Sequence, residues 1–162
     1  MMLTKRIFSI LVAAASPFVA GACFSSDSTG VATATVEGTT FASSLGVDLA
    51  ASTRTTNGAY VRDLVVGPGA LVTTGQTLSV KYSGYLSNGT LFDTNTGATT
   101  LLTFTLGARQ LIAGFDEGVP GMHVGGTRQI LIPPSLGYGP NDYGPIPGNS
   151  VLVFTVQVVS VQ

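Results

Sequence analysis

Apolar and polar residues alternate from Thr77 to Tyr85: Leu78, Val80 and Tyr82 fall on one side, Thr77, Ser79, Lys81 and Ser83 on the other. Period two predicts a strand with one buried face. Asn88-Gly89 follows, a dipeptide that tolerates φ > 0 at both positions, so a tight hairpin turn is expected with a return strand starting at Leu91–Asp93. Thr94 to Thr100 reads as a polar loop and Leu101 to Leu106 as another strand. Upstream, Ala59 to Val66 is strand-like, opened by the Asn57-Gly58 turn and stopped by Gly67-Pro68-Gly69. The spacing then changes. Leu111, Ile112, Phe115 and Val119 form one stripe of a helix over Leu111–Val119, with Asp116 and Glu117 turned to water. Gly114 and Gly118 lower its propensity, so packing must hold it. Pro120-Gly121 ends it. Thr127 to Ile132 is a strand stopped by Pro133-Pro134, and Ser135 to Asn149 is a loop with four glycines and three prolines. Val151 to Val161 is the last strand. Strands in hairpin order with one helix predict an α+β domain, an antiparallel sheet covered on one face.

Ahead of this pattern the periods fail. Phe41, Leu45, Val47 and Leu49 are apolar enough to pack on the domain, but their spacing fits neither helix nor strand. The chain is therefore divided into a signal peptide (1–22), a flexible tether and pro-domain extension (23–56) and a globular domain (57–162). The tether, Cys23 to about Thr35, is rich in Ser, Thr, Gly and Ala. The signal reading rests on Lys5-Arg6, the short apolar run Ile7 to Ala15 and the Ala20-Gly21-Ala22 pattern, with cleavage before Cys23. The apolar run is too short to span a bilayer and is followed by Pro17. Cys23 is the only cysteine, so it has no internal disulfide partner. Its position after small residues resembles a bacterial lipoprotein box, in which the cysteine is acylated and anchors the protein to a membrane. Ordinary secretion with a free thiol is the alternative. Either way the expected location is the periplasm or cell envelope.

Composition narrows the chemistry. Charged residues are only 9% of the chain, so the surface must be built from Thr, Ser, Asn and Gly, which suits a sheet-rich domain. Without Lys5 and Arg6, 5 basic residues face 8 acidic ones, and no basic run exists, so nucleic acid is excluded as a partner. The single histidine, His123, follows a glycine-containing turn and reads as a solvated loop residue. A metal site would need more His or Cys ligands, and none is expected. Neither a phosphate-binding G-K-[ST] loop nor a G-x-S-x-G nucleophile elbow is present.

Seven fragments, taken in order, carry a resemblance. They are V-K-Y-S-G-Y-L (Val80–Leu86), N-G-T-L-F-D-T (Asn88–Thr94), F-T-L-G (Phe104–Gly107), L-I-A-G-F-D-E-G-V (Leu111–Val119), G-M-H-V-G-G (Gly121–Gly126), L-I-P-P-S-L-G-Y-G (Leu131–Gly139) and V-L-V-F (Val151–Phe154). Each is weak alone, but together over Leu78–Val161 the chain resembles the FKBP-type peptidyl-prolyl cis/trans isomerases, the macrolide-binding immunophilins. The resemblance implies a strongly curved antiparallel sheet wrapped around the short helix, with an apolar pocket between them. It implies a pocket built from Tyr82, Phe92, Leu102, Phe104, Leu111, Phe115, Ile146 and Phe154, with Asp93, the backbone N–H of Ile112 and the Tyr138 hydroxyl as its polar, catalytic groups. Asp93 is expected to hold Tyr82 by a hydrogen bond. Phe115 stands where the family usually has Trp, Leu102 where it often has an aromatic wall, and Leu136 where Tyr is common.

These residue types suit the reaction. The barrier to turning an X-Pro bond is amide resonance, roughly 18–20 kcal/mol, and the reaction needs neither nucleophile nor cofactor. A twisted amide is less polar than a planar one, so a dry apolar pocket favours the transition state relative to water. The implied function is isomerisation of X-Pro bonds in exported proteins by a monomer whose partners are proline-containing clients and macrolide inhibitors. The alternative is a binding module or chaperone that grips proline segments without turnover. Residue by residue, plainer readings stay open: the aromatics as ordinary core, Asp93 as a strand-end turn residue, Tyr138 as loop packing.

Overall fold

The structure is a computed structural model and is described for residues 33–162. Lys5, Arg6, the apolar run, Cys23 and most of the expected tether lie outside the described residues. Seven strands and one α-helix follow in the order β1 (Thr53–Arg54), β2 (Tyr60–Val65), β3 (Thr77–Leu86), β4 (Leu91–Thr94), β5 (Leu102–Thr105), α1 (Ala113–Gly118), β6 (Thr127–Ile132) and β7 (Leu152–Val161). All strand pairs are antiparallel and form one sheet ordered β1-β2-β6-β7-β3-β4, with β5 also on β3. The α+β class is as expected. The hairpin order is not: the sheet is joined by two long-range pairings, β2 with β6 and β3 with β7. β6 and β7 each have a strand on both sides, so both rows of their backbone groups are paired within the sheet.

β6 and β7 form the middle of the sheet. On the inner face Ile130, Ile132, Leu152, Phe154, Val156 and Val158 join Leu78 and Val80 of β3 in the main core. α1 lies against β6 through Gly114 and Gly118. A Cβ on Gly114 would sit 2.5 Å from the Ile132 side chain, and one on Gly118 2.6 Å from Ile130. The two glycines that weaken the helix in isolation are what lets it approach the strand. Asp116 and Glu117 are half-buried and hydrogen-bonded to neighbouring loops instead of standing free in water. Asp116 accepts the backbone N–H groups of Gly107 (2.8 Å) and Arg109 (3.2 Å). Glu117 accepts Thr55 Oγ1 at 2.7 Å and a bond from Asn57 Nδ2. Arg128, buried on β6, forks onto Asp63 at 2.7 and 3.0 Å and donates to the Gly118 and Pro120 carbonyls at the end of α1, both at 2.9 Å.

The outer face of β6 and β7 is covered by residues 34–49. Val36, fully buried, forms a second cluster with Leu131, Val151 and Val153, and Phe41, Leu45, Val47 and Leu49 pack around it. The segment is irregular, with a single 3-10 turn at Ser43–Leu45, which is why its apolar residues follow no period. Polar bonds fix it. Gln129 donates to the Leu45 carbonyl (2.8 Å), Arg62 to the Gly46 carbonyl (2.6 Å), and Ala42 N–H to Ser87 O (2.8 Å). β1, N-terminal to residue 57, pairs with β2.

The β3–β4 connection differs in type from the one expected. Gly89 N–H bonds to Leu86 O and Leu86 N–H to Thr90 O, both at 2.9 Å, and of Asn88-Gly89 only Gly89 has positive φ, +90°. This is a three-residue loop ending in a glycine bulge, the next most common hairpin after the two-residue turn. Asn88 still contributes, its Oδ1 accepting Thr90 N–H at 2.9 Å. Replacing Gly89 with Val is expected to cost about 1–3 kcal/mol. Its Cβ would also press on Ser44 Oγ (3.1 Å) and Ala42 (3.3 Å). Thermal melting checks this, and an unchanged midpoint would count against the turn assignment.

Candidate functional site

β3 carries Tyr82 at the point where its edge changes partner. Residues 77–80 pair with β5 and residues 83–85 with β4. Asn95 fills the gap between them. Its side chain accepts Tyr82 N–H at 2.7 Å and donates to Val80 O at 3.0 Å, while its own N–H reaches Tyr82 O at 3.1 Å. An asparagine thus stands in for a missing strand neighbour and fixes the backbone of Tyr82.

Above this point lies a cavity of about 370 Å³, open to solvent and lined by Tyr82, Asp93, Leu102, Gln110, Leu111, Ile112, Phe115, Tyr138, Tyr143 and Phe154. The size lies within the roughly 300–1,000 Å³ common for ligand sites. Five aromatic contacts build its floor. Phe115 of α1 meets Phe154 of β7 at 5.0 Å and Tyr82 at 6.5 Å, both edge-to-face, and Tyr82 meets Phe154 at 6.3 Å. Phe92 supports Phe154 from behind at 5.5 Å and Phe104 supports Phe115 at 6.2 Å. Edge-to-face contacts at these distances set ring orientation as well as burying area.

Eight of the expected residues are on the wall: Tyr82, Asp93, Leu102, Leu111, Ile112, Phe115, Tyr138 and Phe154. Phe92, Phe104 and Ile146, expected to line the pocket, do not line it. Phe104 and Ile146 are buried in the core and Phe92 packs against it, so these three act as backing. Gln110 and Tyr143 line the wall without having been singled out. Gln110 sits in the loop just ahead of the helical stripe that begins at Leu111, and Tyr143 in a loop of glycines and prolines, so no apolar period marks either as pocket-facing.

The polar groups converge on the rim. Tyr82 donates its phenol to Asp93 Oδ2 at 2.6 Å, the expected bond. Burial first, then the hydrogen bond and negative charge of Asp93, push the Tyr82 phenol up to about 12. Burial, followed by neighbouring Tyr143 and Asp93, raises Tyr138 as well. Ile112 caps the N-terminus of α1 in an extended conformation (φ −62°, ψ 146°). Its backbone N–H has no partner among the described residues, and the same holds for the Tyr138 hydroxyl. The cavity thus offers an apolar floor, one carboxylate held by a phenol, and two hydrogen-bond donors ready for carbonyl oxygens. Nothing in it is arranged as a nucleophile with a base.

A family model described as FKBP-type peptidyl-prolyl cis-trans isomerase matches residues 69–159. A FK506-binding protein of Neisseria meningitidis is 41% identical over 105 residues, which cover 64% of this chain and 96% of that protein. FK506-binding protein 3 of Candida albicans is 42% identical over 105 residues, but the chain spans only 24% of its length. Among solved structures, AtFKBP13 superposes with a TM-score of 0.63 at 33% identity, covering 68% of this chain and 98% of that one. FkpA from Escherichia coli gives a TM-score of 0.63 at 31% identity, covering 69% and 52%.

Proposed function

This chain belongs to the FKBP-type peptidyl-prolyl cis-trans isomerase family, and on that premise we propose that its pocket isomerises X-Pro bonds in polypeptide clients. The observation that carries the reading is the pairing of a closed aromatic floor with unpartnered donors at its rim. The proline ring enters the floor of Phe115, Phe154 and Tyr82. Ile112 N–H and the Tyr138 hydroxyl receive carbonyl oxygens on either side of the reacting bond. Asp93, held by Tyr82, lies beside the amide and interacts with its changing dipole. Loss of water lowers the stability of the planar, more polar amide relative to the twisted one, and fixed donors require no reorganisation during the turn. No proton is transferred. Macrolides of the FK506 type, named for the relatives, are candidate ligands of the same pocket.

A protease-coupled assay on a short X-Pro peptide tests the proposal. Turnover clearly above the spontaneous rate supports it. A rate at background with peptide binding intact would replace it with the binding-module reading.

The mechanism also predicts a flat pH profile. Tyr82 and Tyr138 ionise above their ordinary value near 10, and His123 lies outside the pocket, bonded to Gly69 O at 3.0 Å. kcat/KM is therefore expected to stay constant between pH 6 and 8, and an imidazole-shaped profile would overturn the proton-free mechanism. At alkaline pH the sign is fixed. The folded protein holds the Tyr82 phenol protonated more tightly than the unfolded chain does. The stabilisation this gives is complete below pH 10 and is lost as pH rises toward 12.

We further propose export to the periplasm or envelope, with exported proteins as clients and Cys23 as the acylated N-terminus. Support comes from Lys5-Arg6, the apolar run and Ala20-Gly21-Ala22 before Cys23. Intact mass of the protein from its native host tests this. A product retaining Met1 rejects export, and a Cys23 N-terminus without acyl chains rejects the anchor.

A further inference from the structure

Tyr143 is the large side chain at the pocket rim that the isomerase reading leaves without a task. It is 59% exposed, so it contributes little to the core. Its backbone is held independently of its ring. Tyr143 N–H bonds to Ile146 O at 2.8 Å and Ile146 N–H to Tyr143 O at 3.0 Å, and Ile146 is buried to 4%. Two more bonds tie the loop on either side, Gly148 N–H to Asp142 Oδ1 (2.7 Å) and Asn149 N–H to Gly139 O (2.9 Å). The position of the loop thus comes from Ile146 and the backbone, and leaves the aromatic ring free for another use.

That use is visible in the geometry. The Tyr143 ring lies flat on Tyr138, with centroids 4.4 Å apart and planes within 10°. It is the only stacked pair among the aromatic contacts of the described residues; the ones that build the floor are edge-to-face or tilted. Tyr138 itself sits in a glycine-flanked stretch, Gly137-Tyr138-Gly139, where the neighbouring residues have no side chains to hold it. Its hydroxyl has no internal hydrogen-bond partner among the described residues. A donor that must meet a substrate oxygen at a set distance needs its ring fixed; Tyr138 packs against the margin of the main core, and the flat face of Tyr143 adds a second surface to it.

We propose that Tyr143 is a positioning residue: it clamps the Tyr138 ring so that the Tyr138 hydroxyl is held over the pocket for the substrate carbonyl. Tyr143 acts through Tyr138 and not by touching the reacting amide. The inference rests on the isomerase reading and deepens it.

A double-mutant cycle on an X-Pro peptide tests it. Tyr143→Ala is expected to lower kcat/KM about fivefold with the melting temperature unchanged, since the ring is exposed and Ile146 still anchors the loop. Tyr143→Phe keeps the stack and should recover most of that loss. In a Tyr138→Phe background there is no hydroxyl to aim, so adding Tyr143→Ala should cost less than twofold. An equal fivefold loss in both backgrounds would overturn the proposal, as would Tyr143→Phe being as poor as Tyr143→Ala. Near-UV circular dichroism gives a readout independent of turnover: both variants lack the Tyr143 chromophore, so the tyrosine band left in Tyr143→Phe, where the stack still holds the Tyr138 ring, should be stronger than that left in Tyr143→Ala, and equal bands would count against the clamp. If wild-type turnover is at background while the peptide still binds, the isomerase reading alone fails, and the same cycle run on peptide Kd decides the role of Tyr143. A wild-type protein that neither binds nor turns over the peptide overturns both.

Discussion

Asp93→Ala and Tyr138→Phe should each lower kcat/KM on a short X-Pro peptide by roughly 5- to 150-fold, corresponding to about 1–3 kcal/mol for one polar contact in an apolar site. The fold should survive both. Asp93 is exposed on β4, and Tyr138 sits on the long loop, where it packs against the margin of the core and the Tyr143 ring. For Asp93 the loss has two parts, the carboxylate facing the amide and the 2.6 Å bond that orients Tyr82. Asp93→Asn retains an acceptor for Tyr82 and removes the charge, so it separates them: recovery to near wild type assigns the role to orientation, and a loss equal to Asp93→Ala assigns it to charge. Wild-type kcat/KM in both alanine and phenylalanine variants would remove these residues from the mechanism.

The largest expected effect on stability comes from a residue far from the pocket rim. Arg128→Leu should destabilise the domain by about 3 kcal/mol, the lower part of the range for breaking a buried ion pair on one side, because Asp63 retains access to water. The guanidinium satisfies four acceptor contacts, two on Asp63 and the carbonyls of Gly118 and Pro120. Removing it strands two carbonyls at the C-terminal end of α1, a six-residue helix with no propensity to spare. A melting point lower by ~10 °C is expected for a domain of this size. Because α1 carries Phe115 and is capped by Ile112, activity should fail at a lower temperature than in the wild type while remaining near normal well below the transition. A melting point within 2–3 °C of wild type, a shift below ~1 kcal/mol, would show that the helix end is satisfied by water instead.

Much of the domain was legible locally. The period-two run of Thr77–Tyr85, the dense apolar residues of Val151–Val161 and the proline stop after Ile132 are statements about neighbouring residues, and the strands appear where those signals stand. The helix was legible from four apolar positions, although its regular turns are confined to Ala113–Gly118. The ordered fragments also marked eight residues of the wall. Other features were hidden because the signal for them is not local. Asp116 and Glu117 look like solvent-facing charges until the loops at Gly107–Arg109 and Thr55–Asn57 are folded against them. Nothing in the strand Thr127–Ile132 marks Arg128 as buried until Asp63 and the end of α1 are folded against it. The 34–49 segment has no period because it is laid across two strands instead of forming an element of its own.

Side-chain order along the chain sets which stretches extend, which one coils, where the chain turns and which chemical groups are available to a pocket. Each follows from side-chain periodicity and backbone restriction over a few residues. Tertiary structure alone decided the pairing of β3 with β7 and of β2 with β6, because strands far apart in the chain carry no local mark of their partner. It also decided which aromatics face the cavity and which stand behind it. Phe92 and Phe154 are alike as residues and both lie over Gly84 of β3, yet Phe154 lines the wall and Phe92 packs against Phe154. The same holds for Tyr143. Nothing in a loop of glycines and prolines indicates that one exposed ring lies flat on another, because the contact exists only once Ile146 is buried and the loop closes over the pocket.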